Sequence, residues 1–469
     1  MRERDEALTI EQKALALNLD EYKYGTVVEI GAGQEVARQF FRAGAAAGTI
    51  AKTMSAYDMK VSDSIYGQAG RYVSRERLLQ MLEKEFDLLV DRLSSSRPRN
   101  TTFFAYAATV AAKSYQREHE CHGWIGLRVQ LHPGAAPSDI IMHVRMLDND
   151  NTAQSEALGV LGVNLIYGAF NYWSHPTDLI DSLKDKLGPD RIEIDLIHFS
   201  GAYFEDIENR LMNLYLIRSW QTRAVIFNPQ GEVVVPGELF YKKPVLVIRG
   251  TFNPVTKVNV DMIESGKKQF IQENTVDAER LVSLAEITMN SPFTGDTVDD
   301  ADFLVRVDLL ASLGYTVMIS DYVRFFRLRA YLRRYTQKQI GIVLSVRDFD
   351  YLFNLKFYEG LEGGILEAFG KLFPDKTSVY VYPSRRADEA ELTTLASVSV
   401  PPGLQHLLSH LVENKLLIPL EEYDESLLQI DMAEVLSDLH RGRGRWEECV
   451  PDIIAQQIIE RRLLGFASE

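Results

Sequence analysis

The sequence predicts an α/β protein of two or three domains, with a mainly parallel, doubly wound sheet in the middle domain. A mixed α/β region precedes it and a helical region follows. Three observations lead there. From Val245 onward the apolar runs "VLVI", "YTVMIS", "IGIVLSV" and "SVYVY" alternate with longer segments of helical periodicity, and strands apolar on both faces at that spacing imply a parallel sheet covered by helices. Before them, "TVVEI", "WIGLRVQL", "DIIMHVRML", "RIEIDLIHF" and "RAVIFNP" are interleaved with helices less regularly. After Ala387 the chain reads as helix, with "QHLLSHLVENKLLIPL" and "DIIAQQIIERRLLGF" amphipathic. The boundaries fall at 1–236, 237–390 and 391–469, and 469 residues that are 46% hydrophobic exceed what one core accommodates.

Taken in order, "QEVARQFFRAGAAAGTIAKTM" suits one or two packed helices, and the segment "GTIAKTMSAYD" is poor strand material. In "SRERLLQMLEKEFDLLVDRL" Leu78, Leu82, Phe86, Leu89 and Leu93 recur at three- and four-residue steps behind the N-cap candidate Ser74. "SSSRPRN" is a connection. "WIGLRVQL" and "DIIMHVRML" flank the turn "HPGAAPS" and are expected to pair. A long helix starts near Asn151, and its glycines at 159, 162 and 168 let another backbone approach. "VIFNPQGEVVV" is a hairpin about Asn228-Pro229-Gln230-Gly231. Beyond strand "VLVI", helices are expected over about 258–272, 277–288, 300–313 and 358–372, together with "VRFFRLRAYLRRY".

Composition restricts partners. A net charge of −15 and a pI near 5.2 argue against nucleic acid and anionic lipid. Cys121 and Cys449 lie far apart, which suggests neither a disulfide framework nor a thiolate zinc site. No signal-peptide pattern opens the sequence, and no apolar run approaches the roughly 18 residues of a membrane span. The expectation is a cytoplasmic protein with a small-molecule ligand, no membrane partner, and a composition compatible with homo-oligomers.

The stretch that carries chemistry is "VLVIRGTFNPVTKVNVDMIESGKKQF", Val245 to Phe270: a buried strand, a tight turn and a helix. Free N–H groups of a first helical turn and the helix dipole favour an anion at that place. Gly250 permits backbone conformations closed to other residues, and Pro254 stiffens the loop. The string Gly250-Thr251-Phe252-Asn253-Pro254-Val255-Thr256 resembles the GSFNPxT or GxFNPxH signature of nicotinamide and nicotinate mononucleotide adenylyltransferases, within the nucleotidylyl transferase superfamily, whose sheet is Rossmann-like. The resemblance implies ATP and Mg²⁺, AMP transfer to a mononucleotide with release of pyrophosphate, and a part in NAD biosynthesis. It assigns Gly250, Thr251, Phe252 and Asn253 to the nucleotide, and Thr256 to the vicinity of the ATP phosphates. The family continues to a histidine three residues later, where this chain has Asn259, a neutral donor in place of a charge-stabilising one. Lys257 is the nearby source of charge. The family's second signature has its nearest counterpart in "VYVYPSRRADEAEL", with Ser384, Arg385 and Arg386 available for phosphate. Weakened or lost activity follows from Asn259, and the alternative is a non-catalytic protein that keeps the fold for nucleotide sensing or assembly.

Other patterns compete. "VVEIGAGQEVARQF" resembles the first motif of S-adenosylmethionine-dependent methyltransferases at Gly31-Ala32-Gly33, with Asp58 as the ribose acid, against the reading of a tight structural turn. His119, Cys121 and His122 are metal ligands by type, but their spacing favours a polar loop and no metal site is expected. His143 and His198 read as satisfied strand residues. Arg324, Arg327, Arg329, Arg333 and Arg334 form a solvated helix face, or else Arg324 or Arg327 meets phosphate beside Ser320, Asp321 and Tyr322. Asp296, Asp299 and Asp300 read as a solvated N-cap region rather than a Mg²⁺ site.

Overall fold

The computed structural model describes residues 7–31, 34–113, 121–188, 190–289, 299–374, 376–385 and 392–467. Two compact units divide between Arg223 and Ala224, and each is described by itself.

The first unit runs α1 (Ile10–Asn18), β1 (Lys23–Ile30), α2 (Glu35–Ala43), β2 (Ile50–Ser55), α3 (Met59–Tyr66), α4 (Arg75–Leu93), β3 (Thr102–Ala111), β4 (His122–Val129), β5 (Ser138–Met146), α5 (Asn151–Asn171), α6 (Pro176–Ser182), β6 (Ile192–Ser200) and α7 (Asn209–Arg218). Its strands are ordered β2-β1-β3-β4-β5-β6. β1 is parallel to β2 and β3, and the remaining pairs are antiparallel, including the expected β4–β5 hairpin. α4 begins where Ser74 accepts a hydrogen bond from the Arg77 N–H at 3.2 Å, and it buries Leu78, Leu82, Phe86 and Leu89. Glycines of α5 admit α2 at close range: a Cβ on Gly162 would stand 2.3 Å from the Val36 side chain. Two strands depart from expectation. "IAKTMS" forms β2 despite its weak strand character, because an edge strand needs only one partner, β1. β3, "TFFAYAATVA", is central and almost wholly buried, and its run of small residues hid it.

The second unit contains β7 (Ala224–Phe227), β8 (Val233–Val234), α8 (Pro236–Phe240), β9 (Val245–Arg249), α9 (Lys257–Asn274), β10 (Val282–Thr288), α10 (Asp300–Ser312), β11 (Thr316–Ser320), α11 (Phe325–Tyr335), β12 (Ile340–Ser345), α12 (Phe349–Phe353), α13 (Gly364–Leu372), β13 (Thr377–Tyr382), α14 (Gln405–Glu413), β14 (Leu417–Pro419), α15 (Met432–His440), α16 (Trp446–Cys449) and α17 (Asp452–Arg461). Its sheet is ordered β14-β13-β12-β9-β10-β11-β7-β8, parallel from β14 to β11. The mainly parallel, doubly wound α/β architecture is therefore present, with helices dominating the carboxyl-terminal stretch.

Two boundaries and one element change. The hairpin of β7 and β8 forms as expected, but β7 pairs with β11, so it belongs to the second unit and the division falls before it rather than at Pro236. The helix expected over 277–288 is replaced by a short turn of 3₁₀ helix and β10, whose alternation lies between two strands of the same sheet. The region 391–469 is not separate, because β14 extends the sheet beside β13.

Candidate functional site

In the parallel part of this sheet the chain starts at β9, steps to β10 and β11 on one side, then returns to β12, β13 and β14 on the other. The reversal lies between β9 and β12, and open α/β sheets bind ligands outside the carboxyl ends of their strands at such a switch point. A cleft of about 190 Å³ lies there, lined by Gly250 and Thr251 after β9, by Thr256 and Asn259 of the α9 amino terminus, and by Ser345, Arg347 and Asp348 after β12.

Local chemistry shapes the α9 end. Thr256 is the N-cap, and Asn259 completes a reciprocal capping box: the Asn259 Oδ1 accepts from the Thr256 N–H at 2.9 Å, and the Thr256 hydroxyl accepts from the Asn259 N–H at 3.4 Å. The N–H groups of Lys257 and Val258, at the first two helical positions, have no acceptor within the helix. Asn259 is only 7% exposed, and its oxygen is committed to the cap. Asn259→His is therefore expected to cost about 1 kcal/mol of stability through the lost cap, rather than simply restore a phosphate donor. Hydrogen exchange at the first turn of α9 checks this, and protection equal to wild type would remove the capping role.

The other residues of the turn divide by function. Gly250 has an ordinary negative φ, which corrects the expectation that it serves an unusual backbone conformation. It is small because a Cβ there would lie 3.0 Å from the ring of Phe252. Phe252 is fully buried at φ +49, folded beneath the turn instead of facing the cleft. Asn253 does not line the cleft, and its Oδ1 is buried without a partner among the described residues. Lys257 does not line it either; its charge acts on Glu448 and Cys449. The catalytic part expected of Lys257 is thus not supported by its position. Ser384 lines the cleft, whereas Arg385 turns aside to Glu425 at 2.6 Å and Arg386 lies outside the described residues.

Sequence reading missed the cations that do line the cleft: Arg249, Arg306 and Arg347. Arg249 ends β9 and is held by Glu286 of β10 at 2.6 and 3.2 Å. The Tyr322 and Val323 carbonyls accept from it at 2.6 and 2.9 Å, and the Phe325 ring centre lies 4.5 Å away. Glu286 has no exposed surface and also accepts from the Ser320 hydroxyl at 2.6 Å. Arg306 of α10 pairs with Asp302, reaches the Thr251 carbonyl at 3.4 Å, and leaves its buried Nε without a partner among the described residues. Asp348 faces this group of cations, and burial pushes its carboxyl up to about 6 although Arg249 and Arg347 favour its charged form. Charges inside apolar strands, as in "VLVIR" and "SLAEIT", were the available signal, since a buried charge demands a partner. Ile287, Met289, Phe303, Tyr351 and Met432 supply apolar lining.

Arg324 and Arg327 do not line the cleft, nor does Asp321. Asp299 caps α10, accepting from the Ala301 N–H at 3.4 Å, while Asp296 lies outside the described residues. In the first unit Gly31 sits at φ +86, and a Cβ would meet the Val110 carbonyl at 2.1 Å, which is a structural turn. Ala32 and Gly33 lie outside the described residues. The Val36 and Ala37 N–H groups at the start of α2 donate to Glu29, whose carboxyl burial raises to about 7. Asp58 caps α3 rather than standing at a strand end. A methyltransferase-type cofactor site draws no support from this arrangement. His143 is buried between Asp195 at 2.5 Å and His122 at 3.0 Å; His119 lies outside the described residues, and among those described no three His, Cys, Asp or Glu side chains group to hold a metal. No described helix is long and apolar enough to cross a membrane.

No family model and no curated protein matches the chain. Among solved structures it is similar to a competence-damaged protein (CinA) superfamily protein from Enterobacter cloacae, at 13% identity and TM-score 0.28 over 36% of this chain and 96% of that one. It is also similar to the Plasmodium falciparum nicotinic acid mononucleotide adenylyltransferase complexed with APC, at 8% identity and TM-score 0.30 over 48% and 100%. A competence/damage inducible protein, CihA, from Agrobacterium tumefaciens gives 17% identity and TM-score 0.25 over 35% and 96%. At such scores these likenesses carry no functional weight, which rests on the residues of the cleft.

Proposed function

We propose that the second unit binds a nucleotide polyphosphate in the switch-point cleft, with adenylyl transfer to nicotinate or nicotinamide mononucleotide as the activity the turn signature suggests. The observation that carries this reading is the convergence of a helix amino terminus with Arg249, Arg306 and Arg347 on one cleft. Helix N–H groups and guanidinium forks both suit phosphate, and the apolar lining suits a base or ribose edge. The arginines, not Lys257, supply the positive charge. If ATP enters, Gly250, Thr251 and the Val258 N–H group lie where phosphates would pass, and Arg249 would hold an orientation fixed by Glu286.

Mg²⁺, implied with ATP, fits to a limited extent. Asp348 is the one carboxylate lining the cleft among the described residues, and Mg²⁺ is commonly held by one or two carboxylates together with substrate phosphates. When bound, the ion would offset phosphate charge.

A second reading, nucleotide binding without catalysis, is favoured by Asn259, whose side-chain oxygen is turned back into the cap at the position of the family's histidine. Calorimetric titration with ATP, followed by an assay of pyrophosphate release with nicotinate mononucleotide, separates the two. Binding with turnover supports the transferase, and binding without it supports the sensor. Absence of ATP binding would overturn both.

A further inference from the structure

The cleft is not open on every side. Leu428, Ile430 and Met432 line it from the segment that leads into α15, and the Thr251 hydroxyl donates to the Met432 sulfur at 3.7 Å. Two carboxylates of the same segment engage the arginines that follow β12 and β13. Asp431 Oδ2 accepts from Arg347 at 3.2 Å, and Glu425 accepts from Arg385 at 2.6 Å. Arg347 also donates to the Arg385 carbonyl at 2.7 Å, which ties the two latches together. Upstream, Glu422 pairs with Lys268, and the Asp424 N–H donates to Asp261 at 3.1 Å, so the segment is pinned to α9 before it crosses the cleft.

We propose that residues 425–432 form an autoinhibitory strap, in which the Asp431 carboxylate occupies on Arg347 the place of a ligand phosphate. This rests on the nucleotide reading of the cleft and adds its regulation. Chemistry supports the competition: a carboxylate and a phosphate present the same acceptor oxygens to a guanidinium fork, and one Arg347 cannot satisfy both fully. Energetics support reversibility. Of residues 425–432 only Leu428 is buried, and segments with few buried apolar contacts and exposed polar pairs open at low cost. Exposed ion pairs contribute little, so the strap restrains access without sealing the site. Asp431 Oδ1 is committed elsewhere, capping α15 through the Ala433 and Glu434 N–H groups at 2.9 and 3.2 Å. The oxygen on Arg347 is therefore free to leave while the helix stays capped.

The test is the full chain with D431N and E425Q together. Asparagine is as good an N-cap as aspartate, and both changes keep shape while removing charge. The variant should bind ATP roughly 2- to 10-fold tighter than wild type, and ATP should speed hydrogen exchange at the amides of 428–432 in the wild-type protein. Equal or weaker ATP binding by the variant, with exchange at 428–432 unchanged by ATP, would overturn the strap while leaving the nucleotide site intact. If neither protein binds ATP or inorganic pyrophosphate, the nucleotide reading fails and the strap falls with it.

Discussion

Arg249→Met is expected to lower the stability of the second unit by about 3–5 kcal/mol and to abolish measurable ATP binding. The stability loss comes from the residue left behind. Glu286 has no solvent-exposed surface, and its strongest partner is the guanidinium at 2.6 Å; removing that partner strands a buried carboxylate, which costs far more than the pair contributes. The Ser320 and Thr288 hydroxyls, at 2.6 and 3.2 Å, would still donate to Glu286 but carry no charge. A second variant isolates the ligand effect. Arg249→Met with Glu286→Gln removes both charges, so stability should recover substantially, whereas ATP binding should not, because the cation beside the turn is still missing. Hydrogen exchange at the amides of β9 and β10 reads the first quantity and calorimetry the second. Recovery of ATP binding in the double variant would show that Arg249 braces the sheet and does not meet the ligand.

The turn after β9 was legible because everything that specifies it is local. A run of apolar residues makes a buried strand, Thr256 is a strong N-cap type, and a helix must begin just beyond it. Its immediate surroundings were less legible. Phe252 stands in the signature as though it faced a nucleotide, yet it is fully buried under Gly250, and only the tertiary fold decides which side of a turn an aromatic ring takes. Lys257 is the nearest cation in sequence, while the cations at the cleft come from β9, α10 and the turn after β12. No spacing rule joins Arg249, Arg306 and Arg347; the parallel sheet brings them to one edge by placing β9 beside β12. The same cause explains the missed strands. β10 and β14 take their places by pairing with neighbours distant in the chain, and a short segment acquires strand geometry from its partners as much as from its own residues. Asn259 is a further case: sequence shows only that a histidine is replaced, and the structure shows that its oxygen closes a cap.

Asp348→Asn is expected to stabilise the second unit at neutral pH by up to about 3 kcal/mol and to remove a pH dependence from ATP binding. Burial raises the Asp348 carboxyl from 3.8 to about 6 in the folded protein, even though Arg249, Arg347 and the Ser345 backbone favour its charged form. Between those two values the folded state holds more protons than the unfolded one, so stability falls as pH rises from about 4 to about 6 and stays reduced above it. The free-energy difference follows from the size of the shift. The variant cannot ionise, so this part of the profile should flatten, with the gain appearing at pH 7 and vanishing near pH 4. Binding should change in the same window. In the absence of Mg²⁺, the wild-type carboxylate above pH 6 repels a phosphate drawn in by the three arginines, and below it the neutral acid does not; the wild-type protein should therefore gain more affinity for metal-free ATP than the variant between pH 7.5 and 5.5. Comparing the two proteins cancels the protonation of ATP itself. Hydrogen exchange at β12 and ATP titrations without Mg²⁺ across that range provide the measurements, and parallel profiles for the two proteins would mean that Asp348 is hydrated and ordinary rather than a partly buried, desolvated acid at the mouth of a phosphate site.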